Sequence, residues 1–319
     1  MRKLIKDWGG IITAFTLLIL VRIFLPLPFT IEILIFAIYT MGLNFLLGRL
    51  GFISFGQPAY LAAGAYSTAI YLFYFGSNPY IGFLVGILGG LILTLIIGPI
   101  FVRLRSDYFA LVNLALSVIF FFILQKALKN ITHGDNGLWY LTKMSSTPFL
   151  DLGKPNDFFI FTFFITLLIW ILFKYIDRTI FGASCLATKT NEDKLKFLGY
   201  SNFKIRWFSF SLANTVTATA GSLYAIYFGF ISPSVTEPAR AADVVVVTLL
   251  GGLGTLYGPL VGSFVYTGLK DLVSGIITHW ELVIGILLVV IMLAGEKGIW
   301  GTIQPLLKKV QLRITGKEA

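Results

Sequence analysis

The stretch Gly182–Thr190, GASCLATKT, is the nearest approach in the chain to a phosphate-cradling loop. Such a loop needs a second glycine directly before its lysine, so that backbone N–H groups can close around the phosphates, and Ala187 and Thr188 supply none before Lys189. A second glycine-rich stretch, GGLGTLYG from Gly251, follows the valines Val244–Val247 and imitates a strand entering a dinucleotide turn. Its Gly252, Gly254 and Gly258 read G-x-G-x-x-x-G, one residue longer than that fingerprint. His133, Asp135 and Asn136 in THGDNGL lack the spacing of a zinc or calcium site, and the turn chemistry of Gly134, Asn136 and Gly137 accounts for them. Cys185 is the only cysteine, which excludes a disulfide or a cysteine metal cluster within one chain. No paired carboxylates or nucleophile triad stand out, so the chain is not expected to be an enzyme.

Composition says where these residues must be placed. The 319 residues are 57% hydrophobic and 13% charged, against about 25% charged in soluble proteins. Mean hydropathy is +0.86. These values describe an integral membrane protein. The net charge of +10 is then explained by membrane orientation, and nucleic acid is not expected as a partner.

The expected fold is an all-α, polytopic transmembrane bundle of about ten spans (between about eight and ten), forming one transmembrane domain over 1–319. A basic tail leads into an uncleaved first helix, Trp8–Pro26, with Arg22 near its outer end. Further helices are expected at Thr30–Gly48, 50–75, Tyr80–Val102, Tyr108–Gln125, Phe158–Tyr175, Trp207–Phe230, 240–256, 258–274 and Trp280–Ala294, with a basic tail over 296–319. Lys126–Asp157 reads as an extramembrane loop. The start of the 50–75 span carries Ser54, Gly56, Gln57 and Pro58 and should be broken, as should the chain at Gly251–Gly258, because glycine and the missing proline N–H interrupt the helix there. Gly82 and Gly86 are spaced for close helix contact.

Charge placement orients the bundle, since cytoplasmic loops collect Lys and Arg. With the N-terminus inside, most of the 25 basic residues fall on inner segments, among them Arg2, Lys3, Arg49, Arg103, Arg105, Arg178, Lys189, Lys196, Lys204, Arg206 and Lys309. Lys126, Lys129, Lys143, Lys154, Arg240 and Lys270 fall outside. Both termini and the polar stretch 177–206 are therefore expected in the cytoplasm.

Broken membrane segments without a catalytic cluster suggest transport. The expected solute pathway follows Asn44, Ser54, Gly56, Gln57, Asn113, Gly251, Gly252 and Gly254, where small residues and amides could approach a zwitterionic or apolar solute. Tight packing by the same residues is the structural alternative. An ion-coupled secondary transporter or channel, the alternative of another class, would use Glu32, Asp243 or Asp271, each near a span end. Within 177–206 a short helix is expected near Asn191–Leu198, with Asn191 capping it, Glu192 and Asp193 facing its N-terminal dipole, Gly199 closing it, and Leu195 and Leu198 forming one apolar edge.

Several stretches in order resemble the LIV-type branched-chain amino-acid permeases of bacterial ABC importers: GLNFLLGRLGFISFGQPAYLAAGAY from Gly42, RLRSDYFALVNLALSVIF from Arg103, THGDNGL from Thr132, FGASCLATKTNEDKLKFLGY from Phe181, AGSLYAIYFGFISPS and LLGGLGTLYGPLVG. The resemblance covers most of the chain. It implies a bacterial plasma-membrane subunit that pairs with a second permease, binds two cytoplasmic ATP-binding subunits and takes solute from an extracytoplasmic binding protein. ATP would be used by the partner, with no cofactor in this chain and lipid around it. It also implies that Glu192–Gly199 is a coupling helix docked on the ATPase. Lys194 and Leu195 depart from the small residues usual there, and Gln57 stands where a His is common. Permeases for urea, short amides or nucleosides share much of the pattern.

Overall fold

The computed structural model describes residues 25–104, 106–146 and 150–275, scattered positions over 282–289, and 298–302. The expected first span, Trp8–Pro26, and last span, Trp280–Ala294, fall largely outside them, as does most of the 296–319 tail. The described helices are α1 (Leu27–Phe45), α2 (Gln57–Ile70), α3 (Pro79–Phe101), α4 (Ser106–Phe122), α5 (Pro155–Ile176), α6 (Ile180–Thr190), α7 (Glu192–Phe197), α8 (Asn202–Phe228), α9 (Pro238–Gly251) and α10 (Gly258–Ser274). A wider π turn extends α1 to Leu50, α2 to Phe75 and α4 to Ala127. Among the described residues, 4 helices are long and apolar enough to cross a membrane: Leu27–Leu50, Pro79–Phe101, Asp107–Ala127 and Pro155–Ile176.

The longest helix, α8, is not among those 4, because Ser209, Ser211, Asn214, Thr217, Thr219 and Ser222 lower its hydropathy. Those residues are buried, for α8 is the central helix and packs on α1, α2 and α3. Small residues let the backbones meet. A Cβ on Gly64 would come 2.0 Å from the Ala218 carbonyl oxygen, and one on Gly86 would come 1.9 Å from Ser222 Oγ. Close approach of this kind is how helices associate in a solvent as apolar as their own side chains. The outward stripes are the reverse: Leu84, Leu88, Ile92, Ile96 and Ile100 on α3, and Ile160, Phe164, Leu168 and Ile171 on α5, recur every three or four residues and are exposed. Polar groups inside and aliphatic stripes outside are the pattern lipid demands.

The helices run between two ends of the bundle. Arg49, Arg103, Arg178 and Arg206 mark one, which we call the arginine end. There Arg49 Nη2 donates to Asp177 Oδ2 at 2.6 Å, tying the end of α1 to the end of α5. α1, α3, α5 and α9 run toward that end, and α2, α4, α8 and α10 run away from it. The opposite end is closed by an antiparallel ribbon, β1 (Leu138–Trp139) with β2 (Phe230–Ile231), pairing Leu138 with Ile231. The expected loop 126–157 contains β1 of that ribbon and a one-turn helix, Lys129–Thr132. His133 follows in the left-handed region at φ 60, its Nε2 3.3 Å from the Tyr74 hydroxyl.

Both expected breaks are present. Residues 51–56 are irregular, and α2 begins only at Gln57 with Pro58 in its first turn, where a missing N–H costs nothing. α9 stops at Gly251, and the chain turns over 252–257 before α10. Around 177–206 the structure differs from the reading of a loop holding one short helix. Two helices, α6 and α7, occupy it, and residues 202–206 already belong to α8, which the Ser201 side chain caps by accepting from the Lys204 N–H.

Candidate functional site

The expected pathway residues fall into two groups in the structure. In the first, the irregular 51–56 segment enters from the arginine end with Phe52, Ser54 and Gly56 buried and Ile53 exposed. Phe52 stacks on Phe109 with ring centroids 5.0 Å apart, and the Arg206 guanidinium lies 5.0 Å from the Phe52 centroid. Gly56 touches α4 so closely that a Cβ would meet Asn113 Oδ1 at 2.8 Å. Asn113, fully buried, donates from Nδ2 to the Phe109 carbonyl at 2.8 Å and accepts from the Tyr60 hydroxyl at 3.1 Å. Gln57 bridges to α8: its Nε2 donates to Asn214 Oδ1 at 3.1 Å, and its Oε1 accepts from Thr217 Oγ1 at 2.6 Å. Ser54 Oγ and Asn214 Nδ2 are buried without a hydrogen-bond partner among the described residues.

In the second group Asn44 holds the glycine turn. Its Oδ1 accepts from the Gly254 N–H at 2.9 Å and its Nδ2 donates to the Thr255 carbonyl at 2.8 Å, so one amide satisfies both sides of a backbone that makes no helical bonds there. Trp170 of α5 donates to the Leu256 carbonyl at 3.1 Å. Gly252 at φ 110 and Gly254 at φ 68 adopt the backbone that only glycine takes freely. Gly251 abuts Gly258, whose carbonyl oxygen would lie 2.0 Å from a Cβ on it. A void of about 20 Å³, room for a single water, separates this turn from the Arg49–Asp177 pair. Burial raises the Asp177 carboxyl above its ordinary range against the opposing attraction of Arg49. That void is lined by Asn44 and Gly254 and by none of the first group.

α7 is held to the mouth of α8. Asn191 accepts the Lys194 N–H at 3.0 Å, and Gly199 at φ 81 turns the chain out of the helix, as the residue types required. Glu192 is paired with Arg206, and Asn202 Nδ2 donates to the Glu192 carbonyl at 3.2 Å. Asp193 lies out in solvent beside Lys196, 3.5 Å away. The apolar edge differs from the expectation. Leu195 is 4% exposed and packs into the protein, whereas Leu198 is 73% and Phe197 92% exposed. The Glu192–Arg206 anchor sets the rotation of this short helix, and that turns Leu195 inward.

A larger cavity of about 310 Å³ was not anticipated from sequence. It lies toward the end opposite the arginines, lined by α1, α2, α8, α9 and α10, with Glu32, Tyr39, Arg240 and Lys270 on its wall. Of the carboxylates singled out in the sequence, Glu32 alone lines it.

Comparison with known proteins places these features in a family context. The family model described as branched-chain amino acid transport system / permease component matches residues 25–292. The high-affinity branched-chain amino acid transport system permease protein LivM of Salmonella typhimurium is 26% identical, over 90% of this chain and 72% of its own length; LivM of Escherichia coli gives the same figures. The autoinducer 2 import system permease protein LsrC of Yersinia enterocolitica is 34% identical over 39% of this chain and 35% of its own. No solved structure matches.

Proposed function

Because the chain belongs to the family of branched-chain amino acid transport system permease components, we propose that it is the membrane-spanning permease subunit of an ABC importer for branched-chain or other neutral amino acids. The observation that carries the coupling half of this reading is α7. A short helix, capped at both ends and anchored to α8 by Glu192 and Leu195, offers Phe197 and Leu198 to a partner from the arginine end. Work done on such an element passes into α8, which Gln57 of the first group bonds directly and which packs on α1, the helix that carries Asn44. ATP is hydrolysed on two separate cytoplasmic subunits, and this chain contributes no phosphate loop and holds no cofactor.

The pathway in this reading follows the seam of Asn44, Ser54, Gly56, Gln57, Asn113, Gly251, Gly252 and Gly254. The unsatisfied Ser54 and Asn214 atoms along it support this, since buried polar groups without partners are costly and rare unless a ligand or water serves them. The ten-span arrangement is supported by parity. α1 starts at the end opposite the arginines, and Gly298 is back against Gly252 near the arginine end, 2.5 Å from its Cα to an added Cβ. With a helix over Trp8–Pro26, both termini and the 296–319 tail come to one side. The positive-inside rule makes that side the cytoplasm of a bacterial plasma membrane. A second permease subunit and an extracytoplasmic binding protein complete the assembly.

The test is uptake of radiolabelled L-leucine by membrane vesicles holding this chain with its ATPase and permease partners, supplied with the extracytoplasmic binding protein. Uptake should require internal ATP and survive collapse of the ion gradients. Uptake driven by an ion gradient without ATP would replace this reading with the secondary-transport one. The LsrC similarity favours one further competitor, a polar sugar-like solute, so failure of leucine uptake with ATP-dependent uptake of such a solute would change the substrate class alone.

A further inference from the structure

Beyond the pathway seam, the 310 Å³ cavity between α1, α8, α9 and α10 falls in the ~300–1,000 Å³ range of small-molecule sites. Its chemistry is specific. Glu32 enters from α1, Arg240 from the first turn of α9 and Lys270 from the last part of α10, while Ile35, Phe36, Leu61 and Tyr266 form apolar wall. One acid and two bases, all half-buried, around a greasy pocket at the edge of a membrane bundle is a costly arrangement, since charge partly withdrawn from water is retained where it is paired or used. Tyr39, only 4% exposed, also lines the cavity, and its hydroxyl has no hydrogen-bond partner among the described residues. A phenol buried to that degree ordinarily has one. Arg240, Glu32 and Tyr224 line the same cavity, so the opposite charges face a common space. Asp243, near Arg240 and within reach of Tyr39, and Asp271, beside Lys270, add negative charge around the rim and do not line the cavity.

We propose that this cavity is a binding site for a zwitterionic amino acid with an aliphatic side chain, the first station for solute entering this chain from the extracytoplasmic side. Arg240 takes the ligand carboxylate with the Tyr39 hydroxyl as a second donor, and Glu32 takes the ammonium. Phe36, Leu61 and Tyr266 receive the aliphatic group. Arg240 and Glu32 on one cavity suit an α-amino acid, which engages both, whereas a sugar or an amide engages neither charge and a simple carboxylate engages Arg240 alone, leaving Glu32 in the field of Lys270. The site rests on the amino-acid reading of the previous section and deepens it by naming the groups that read the substrate.

The experiment uses the full chain in its assembled complex in membrane vesicles, with L-leucine as the probe. A Thr267→Cys variant places a thiol on the cavity wall, against a background in which the native Cys185 is buried. Methyl methanethiosulfonate should modify Cys at 267, and leucine should slow the reaction about tenfold or more at saturation, while 4-methylpentanoate and isopentylamine, which each keep one charge, should not. Adding Arg240→Gln or Glu32→Gln should abolish the protection and cut leucine uptake about tenfold or more, as expected for a lost charge-assisted hydrogen bond. Tyr39→Phe should weaken protection by a smaller factor. Membrane content of each variant, measured by immunoblot, separates a site defect from misfolding, and the protection assay on the Thr267→Cys chain stands without the charge variants. A thiol that does not react, equal protection by all three compounds, or no protection overturns the site. If unaltered protein imports leucine with ATP while the charge variants do so equally well, the site fails and the amino-acid function stands. If unaltered protein imports no leucine, both fail.

Discussion

Gly48, near the end of α1, and Gly254, in the turn between α9 and α10, meet backbone to backbone: a Cβ on Gly48 would stand 2.4 Å from the Gly254 Cα. No side chain separates the two, so the glycine turn is seated directly on α1 and Asn44 fastens it one helical turn away. The contact is asymmetric. A Cβ on Gly254 would lie 3.5 Å from Gly48, an ordinary contact, but at a φ of 68 that costs a substituted residue ~1–2 kcal/mol.

Gly48→Ala should therefore be the more damaging change. It forces backbone apart in a packed membrane interior, at a cost of ~1–3 kcal/mol or more, whereas Gly254→Ala should lose about 1–2 kcal/mol through strain alone. Melting temperatures of the two variants in detergent rank them. Equal destabilisation would mean that the turn is not seated on Gly48. Gly254→Leu adds bulk to the strain, and if the turn lines the pathway it should abolish uptake with the ATPase still bound.

The Gln57 amide joins the start of α2 to the middle of α8. Gln57→Leu removes both bonds and leaves Asn214 and Thr217 facing a methyl group, at about 1–3 kcal/mol for the buried partners so exposed. The double variant Gln57→Leu with Asn214→Leu should recover part of that loss, because no buried amide is then left unsatisfied. Thermal unfolding of the set measures the coupling, and strict additivity would contradict the hydrogen bond. Recovery of stability without recovery of uptake would mark the pair as part of the pathway rather than packing.

The breaks at 51–56 and 252–257 were legible because glycine and proline act locally, and so was the Asn191 cap. Orientation of side chains was less so. Leu195 and Leu198 are three apart and read as one edge, yet a helix as short as α7 takes its rotation from a contact at Arg206, which no local pattern announces. The start of α8 was missed for a related reason: Lys204 and Arg206 read as loop charges, although Ser201 three residues before Lys204 was a cap in plain view. The Glu32 and Arg240 cavity had no sequence signal, since its acid and its bases are brought together only by the packing of α1 against α9 and α10.

Topology is testable by thiol labelling, since burial in α6 keeps the native Cys185 silent and raises its thiol pKa against the lowering effect of the Ser209 contact at 3.1 Å. Less of it is thiolate at neutral pH than for a free cysteine, so background labelling is low. Cysteines at Lys196 and Gly316 should react from the cytoplasmic side and one at Lys143 from outside. Gly316 lies beyond the described residues, while 141–143 is at the end opposite α7. Labelling of 143 and 196 from the same face would overturn the arrangement.

The coupling prediction divides along burial. Leu198→Asp and Phe197→Asp put a charge on an exposed surface, where substitution ordinarily changes stability by about 0.5 kcal/mol or less. Insertion and folding should be normal, with Arg178, Lys189 and Lys204 left to hold orientation. If α7 docks in a partner's apolar groove, the same charges are desolvated there, and co-purification of the ATPase should fall by about tenfold or more. Leu195→Asp should behave differently, losing folded protein from the membrane because the charge would be buried beneath α7 beside the Glu192–Arg206 pair. Glu192→Ala tests the anchor itself: α7 loses its ion pair to α8 and is left with the Asn202 bond to its backbone, so uptake should fall while ATPase binding through Phe197 and Leu198 persists. Normal ATPase recovery with both Phe197→Asp and Leu198→Asp, together with normal uptake, would show that force enters the permease elsewhere.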